Sequence, residues 1–112
     1  MNKFHAKKYV YDGKTFDSQA EAARYAELRL LERSGHIKDL QTQVVFILIP
    51  TQKKHGRTER AVKYVADFVY FDRDKGERVV EDCKGFKTPE YIIKRKLMLK
   101  VFDVAIHEVN AR

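Results

Sequence analysis

The sequence predicts an α/β layer fold, a mixed β-sheet flanked by two helices with an N-terminal β-hairpin in front. Three observations carry this. Two segments, one opening at Asp17-Ser18 and one at Thr88-Pro89, have the caps and apolar content of helices. The segments Gln43 to Ile49, Ala61 to Lys84 and Val104 to Val109 are rich in β-branched and aromatic residues, which suit a pleated, half-buried surface. These strands are interleaved with the helices, an order that favours layers of helix on a sheet. At 112 residues the chain is read as one domain, 1–112, with no repeats, linker or low-complexity tract.

Each element follows from its residues. Lys8 to Phe16 carries a two-residue Asp12-Gly13 turn between alternating segments, a strong hairpin signal. Ser18 is a good N-cap and Glu21, three residues on, completes a capping box; the helix runs through Tyr25, Leu28 and Leu31 to the Ser34-Gly35 stop. His36 to Leu40 reads as a short connector. Gln43 to Ile49 is a nearly continuous apolar run, which predicts a strand covered on both faces, with Gln43 as a polar residue at its start. Pro50 stops it, and the polar, basic stretch Thr51 to Arg60 reads as a mobile loop. Ala61 to Lys84 is a hairpin around the turn Asp72 to Glu77. Thr88 as N-cap and Pro89 at the first helical position open the second helix, about Glu90 to Phe102, and Val104 to Val109 is the last strand.

Composition narrows the function classes. The longest uninterrupted apolar run, Val44 to Ile49, is too short to span a membrane, and the N-terminus lacks the apolar core of a secretory signal. Cys83 is the single cysteine, which rules out an internal disulfide and a cysteine-rich zinc site and points to a reducing, cytoplasmic location. The four histidines share no ligand spacing. The net charge of +7, with basic clusters at Lys3 to Lys8, Lys53 to Arg60 and Lys84 to Lys100, suits a polyanionic partner, most simply nucleic acid.

The central hairpin concentrates the chemistry. With Phe71 facing Arg78, Asp67 falls opposite Asp82 within an apolar ribbon. Like charges facing each other destabilise a sheet, so a compensating cation is expected. Lys84, two residues beyond Asp82, leaves the same face. Two carboxylates and an amine on one spot can hold Mg²⁺ and prepare a water for attack on phosphate. Glu81 points to the opposite face and is expected in solvent. Glu21 shares a helical stripe with Tyr25 and Leu28 and can point inward.

An acid on an early helix, then Asp67, then Asp82-Cys83-Lys84 resembles the PD-(D/E)XK nuclease superfamily. The phrases YDGKTFDSQAEAARY, LQTQVVF, YVADFVY and EDCKG are similar to a phage-encoded family of small uncharacterised proteins within it. The resemblance spans nearly the whole chain and implies a restriction-endonuclease-like core. It implies Asp67 as the first metal ligand, Asp82 as the acid of the half-motif and Lys84 as the residue that orients or deprotonates the attacking water. Glu21 matches the helix acid of junction-resolving members, and the Cys83 backbone carbonyl could supply a further oxygen ligand. The superfamily's proline before the first aspartate is Ala66 here.

The activity implied is metal-dependent phosphodiester hydrolysis with Mg²⁺, or Mn²⁺ as a substitute. Lys53, Lys54, Arg57 and Arg60, with Lys87, Lys94, Arg95 and Lys96 at the second helix, are the expected grips on DNA. So small a domain favours recognition of shape over sequence. The expectation is a structure-specific endonuclease, a phage Holliday-junction resolvase acting as a homodimer in the bacterial host cytoplasm. The alternatives are a non-catalytic nucleic-acid-binding module, or a nickase or general nuclease of the same fold.

Overall fold

The computed structural model describes residues 8–110, so the basic residues Lys3 and Lys7 and the tail Ala111-Arg112 lie outside the described part. The chain builds a small hairpin, β1 (Tyr9–Tyr11) and β2 (Lys14–Phe16), and a helix, α1 (Gln19–Arg33). A long strand follows, β3 (Ile37–Ile49), then a short ribbon, β4 (Gln52–Lys54) and β5 (Arg57–Glu59). The core closes with β6 (Val62–Asp72), β7 (Glu77–Lys84), α2 (Pro89–Phe102) and β8 (His107–Asn110). The main sheet has the order β3-β6-β7-β8, antiparallel except for the parallel β7-β8 pair, which makes it mixed. This is the predicted α/β architecture with its N-terminal hairpin.

Local chemistry sets the element ends. The Ser18 hydroxyl accepts the Glu21 N–H at 3.0 Å and starts α1. Thr88 does the same for Tyr91 at 3.1 Å, with Pro89 in the first turn of α2. Asp12 and Gly13 both have positive φ, +55° and +79°, the geometry of the tight turn that β1-β2 needs.

The helices cover opposite faces of the sheet. Tyr25 and Leu28 of α1 pack with Phe16, Ile37, Phe68 and Tyr70. Tyr91 and Met98 of α2 pack with Phe46, Leu48, Tyr64, Ala66, Val69 and Val80. Along β6 the inward residues change phase: Tyr64 and Ala66 belong to the α2 side, Phe68 and Tyr70 to the α1 side. Asp67 sits at that phase change.

Five expectations are corrected. His36 to Leu40 is not a connector, because β3 already begins at Ile37; Asp39, at φ +58°, lies in an irregularity within that strand. Gln43 is therefore mid-strand. Nor is the run Val44 to Ile49 covered on both faces. It is at the sheet edge, and Val45 (54 % exposed) and Ile47 (52 % exposed) face outward.

Thr51 to Arg60 is not a loop. It forms a separate two-stranded basic ribbon closed by His55-Gly56, both at positive φ, so a hairpin turn was hidden in a sequence without the usual Asn or Asp. The last strand is His107–Asn110, not Val104–Val109. α2 ends at a left-handed Asp103, and 104–106 are spent on the turn back to the sheet, with Val104 and Ile106 packed on the core.

Candidate active site

The ladder between β6 and β7 ends at Phe68↔Glu81, in the predicted register but one step short of Asp67 and Asp82. Where main-chain pairing stops, the Asp67 side chain takes over: its Oδ2 accepts the Cys83 backbone N–H at 2.8 Å. The strands thus part around a carboxylate. β7 turns to its other neighbour there, pairing Asp82 with Glu108 and Lys84 with Asn110 of β8.

The parting opens a cleft of about 360 Å³. Glu21, Asp67, Asp82 and Lys84 all line it, along with Lys63, Tyr64, Cys83, Thr88, Tyr91 and Lys94. The four residues singled out as catalytic are therefore brought to one place. The two aspartates open onto the same cavity.

Each carboxylate is oriented by a neighbour. Asp82 is buried, accepts the Tyr64 hydroxyl at 2.5 Å and has Lys84 Nζ at 3.7 Å. Lys84 Nζ also stands 4.3 Å from the centre of the Tyr91 ring, so the ammonium is fixed between a carboxylate and an aromatic face. Gln43 ties the helix acid to the sheet: its Nε2 donates to Glu21 at 2.9 Å and to Asp67 at 3.5 Å. Gln43 has φ +53°, a conformation that non-glycine residues seldom adopt, and it lies across β3-β6 beside Asp67.

Electrostatics reflects the crowding. Burial first, and then the charges of Asp67, Asp17 and Asp82, push the Glu21 carboxyl up to about 7. Burial likewise holds the Asp82 carboxyl well above the usual range, with Asp67 adding to the rise; the Tyr64 hydrogen bond and Lys84 oppose it. Burial and the surrounding acids push the Cys83 thiol up to about 12, which makes it an inert filler rather than a nucleophile.

The residues that can hold a divalent cation are Glu21, Asp67 and Asp82. An all-oxygen set suits Mg²⁺ or Mn²⁺, and a cation would offset the burial, and after it the mutual repulsion, that raises Glu21 and Asp82. Among the described residues, no three His, Cys, Asp or Glu side chains already stand as a ligand set. The carboxylates are engaged instead by Gln43, the Cys83 N–H and Tyr64. The donors fit the ion in kind, and binding it means exchanging some of these hydrogen bonds.

Other predicted residues are not gathered here. Lys53, Lys54 and Arg57 are on the exposed β4-β5 ribbon and Arg60 at its base. Of the second group, Lys94 alone lines the cleft. Arg95 is paired with Glu108 at 3.0 Å, Lys87 lies 3.8 Å from the same carboxylate, and Lys96 borders a separate hollow with Leu99 and Ile106.

Sequence reasoning missed Tyr64, Tyr91 and Lys63, and it favoured Gln43 as a polar strand end over a residue that reaches the site. Strand alternation puts Tyr64, three residues from Asp67, on the opposite face; only the phase change in β6 brings it to Asp82. Glu81, expected in solvent, is fully buried on the α1 side. Arg24 grips it with two bonds of 2.6 and 3.0 Å and the Tyr70 hydroxyl adds a third at 2.8 Å.

No helix among the described residues is long and apolar enough to cross a membrane. No curated protein and no solved structure matches the chain. A family described as "Protein of unknown function (DUF1064)" matches residues 1–111, essentially the whole sequence, and the chain belongs to that family.

Proposed function

We propose that this protein is a metal-dependent endonuclease that hydrolyses phosphodiester bonds in branched DNA, in the manner of a Holliday-junction resolvase working as a homodimer. One observation carries the reading: Glu21, Asp67, Asp82 and Lys84, from three separate elements, line one cleft at the point where β6 and β7 part. The order α1, meander β3-β6-β7, α2 and β8, together with this placement, supports the reading that the resemblance to the PD-(D/E)XK superfamily implies.

Glu21, Asp67 and Asp82 would hold Mg²⁺, which when bound polarises the scissile phosphate and lowers the pKa of a water. The chain's own residues do the rest. The Cys83 N–H and Gln43 fix Asp67, and Tyr64 fixes Asp82. Lys84, steadied by Asp82 and the Tyr91 ring, presents its Nζ to the cleft to hold a water in line or take its proton. Lys63 and Lys94 supply positive charge on the cleft wall. Cuts on opposed strands of a four-way junction need two copies related by a two-fold axis.

A second reading is a non-catalytic binding module, favoured by the hydrogen bonds that already occupy Asp67 and Asp82. A labelled four-way junction, linear duplex and single strand, each with Mg²⁺ and with EDTA, separate the readings. Paired, metal-dependent nicks on the junction support the resolvase. Tight binding with no cleavage in Mg²⁺ or Mn²⁺ supports the module, and cleavage of every form supports a general nuclease.

A further inference from the structure

We propose that Phe86 is a stacking wedge that takes an unpaired nucleobase at the rim of the cleft and so selects branched or single-stranded DNA over intact duplex. The proposal rests on the nucleic-acid reading above.

Phe86 is 79 % exposed, the most exposed large apolar side chain among the described residues. A single apolar side chain in water is ordinary on a protein surface. Its position is what distinguishes it. It stands in the joint between β7 and α2, in the run Lys84-Gly85-Phe86-Lys87-Thr88. Lys84 and Thr88, at the two ends of this joint, line the 360 Å³ cleft. Lys84, Gly85 and Lys87 line a second hollow of about 430 Å³, with Glu108, Val109 and Asn110. The joint is thus a ridge between two polar hollows that share Lys84, and the ring is carried on that ridge between two lysines.

A strand that enters the catalytic cleft and continues across the second hollow must cross this ridge. Its phosphates meet Lys84 and Lys87, and its bases meet the ring. Base–aromatic stacking is tolerant of sequence, because every base has a π face, but it requires a base free of its neighbour. In an intact duplex both faces of each base are already stacked. At a branch point or on a single strand they are available, so the ring rewards the substrate geometry the proposed activity needs.

The test uses the full chain in EDTA, so that binding is read without cleavage, with oligo-dT, an abasic oligomer of equal length, a blunt duplex and a four-way junction. Phe86→Ala is expected to weaken oligo-dT and junction binding roughly tenfold, leaving duplex affinity and the salt dependence unchanged. The wild-type protein should bind the abasic oligomer as weakly as the variant binds oligo-dT. The sequence has no tryptophan, so Phe86→Trp provides a sole indole reporter, expected to retain affinity and to be quenched by oligo-dT but not by duplex.

Equal oligo-dT binding by wild type and Phe86→Ala, equal loss on duplex and single strand, or indole fluorescence of Phe86→Trp that oligo-dT leaves unquenched overturns the wedge while leaving the nuclease reading intact. Failure of the wild-type protein to bind any of these DNAs at low salt overturns both.

Discussion

The Tyr64 hydroxyl donates a 2.5 Å hydrogen bond to Oδ2 of Asp82, in a buried site two positions from Lys84. Burial works against the Asp82 anion and Tyr64 works for it. In Tyr64→Phe the carboxyl therefore rises further, and its ionisation is completed only at higher pH. The acid limb of the cleavage rate against pH should move upward, and the rate below that limb should fall about tenfold, the worth of one hydrogen bond to a charged group at ~1.5 kcal/mol. A pH–rate profile checks this; an unmoved limb would mean that Asp82 does not titrate in the reaction.

Glu81 and Asp82 are neighbours with opposite duties. Asp82 faces the cleft, whereas Glu81 is held away from water by Arg24 and Tyr70. Removing one partner of a buried ion pair leaves an uncompensated charge and costs about 3–5 kcal/mol. Arg24→Met should destabilise the fold by that amount in urea unfolding. Adding Glu81→Gln to it should restore much of the loss, because the charge is gone. A change confined to activity, with unfolding untouched, would contradict this structural role.

The fold was legible where local chemistry and tertiary demand agree. Ser18, Thr88-Pro89 and Asp12-Gly13 mark ends that the structure uses, and β6-β7 pair in the register set by Phe71 and Arg78. That Asp67, Asp82 and Lys84 share one cleft could be anticipated, because spacing within a hairpin limits which side chains converge. Glu81 was misread because alternation tells which face a residue takes, not whether a helix with an arginine covers it. The β4-β5 ribbon was missed because its residues are polar throughout, and its strands are held by main-chain pairing to each other rather than by an apolar face. Gln43 was placed at a strand start because the apolar run begins there. Only the pairing of β3 with β6 brings it against Asp67.

Glu21 supplies a test of the crowded carboxylates. Its folded-state carboxyl is raised to about 7 from 4.5. Between those limits the unfolded chain ionises while the folded chain keeps its proton. The stability this gives is whole below the lower limit and is lost as pH rises through the upper one. In EDTA, the melting temperature should therefore fall between roughly pH 5 and pH 8, and Glu21→Gln should flatten that fall. Mg²⁺ needs the anion, so its stabilising effect should be larger at pH 8 than at pH 5. Equal Mg²⁺ shifts at both pH values, or none, would remove Glu21 from the metal site.

The basic ribbon can be tested independently of the cleft. Lys53, Lys54 and Arg57 are exposed and away from it, so changing all three to Ala should leave the fold and the saturated cleavage rate unaltered. Each phosphate that is no longer neutralised lowers the slope of log affinity against log salt by about 0.9 on duplex DNA. The triple variant should lose roughly 2–3 units of slope and bind more weakly at physiological salt. An unchanged slope would show that the ribbon does not touch the backbone.

Lys84 admits two roles, and substitutions separate them. Held 3.7 Å from Asp82 and over the Tyr91 ring, its ammonium can position a water by charge, or its amine can accept the water's proton. Lys84→Ala removes both and should lower cleavage by about 10²–10⁴ while junction binding in EDTA persists. Asp82→Asn should do the same, because the proposed metal site loses one of its anions. Lys84→Arg keeps the positive charge but cannot give up a proton at any working pH. Partial activity in Lys84→Arg with an unchanged pH profile assigns positioning by charge; loss equal to Lys84→Ala assigns proton transfer. Cleavage at the native rate in Lys84→Ala removes the lysine from the mechanism altogether.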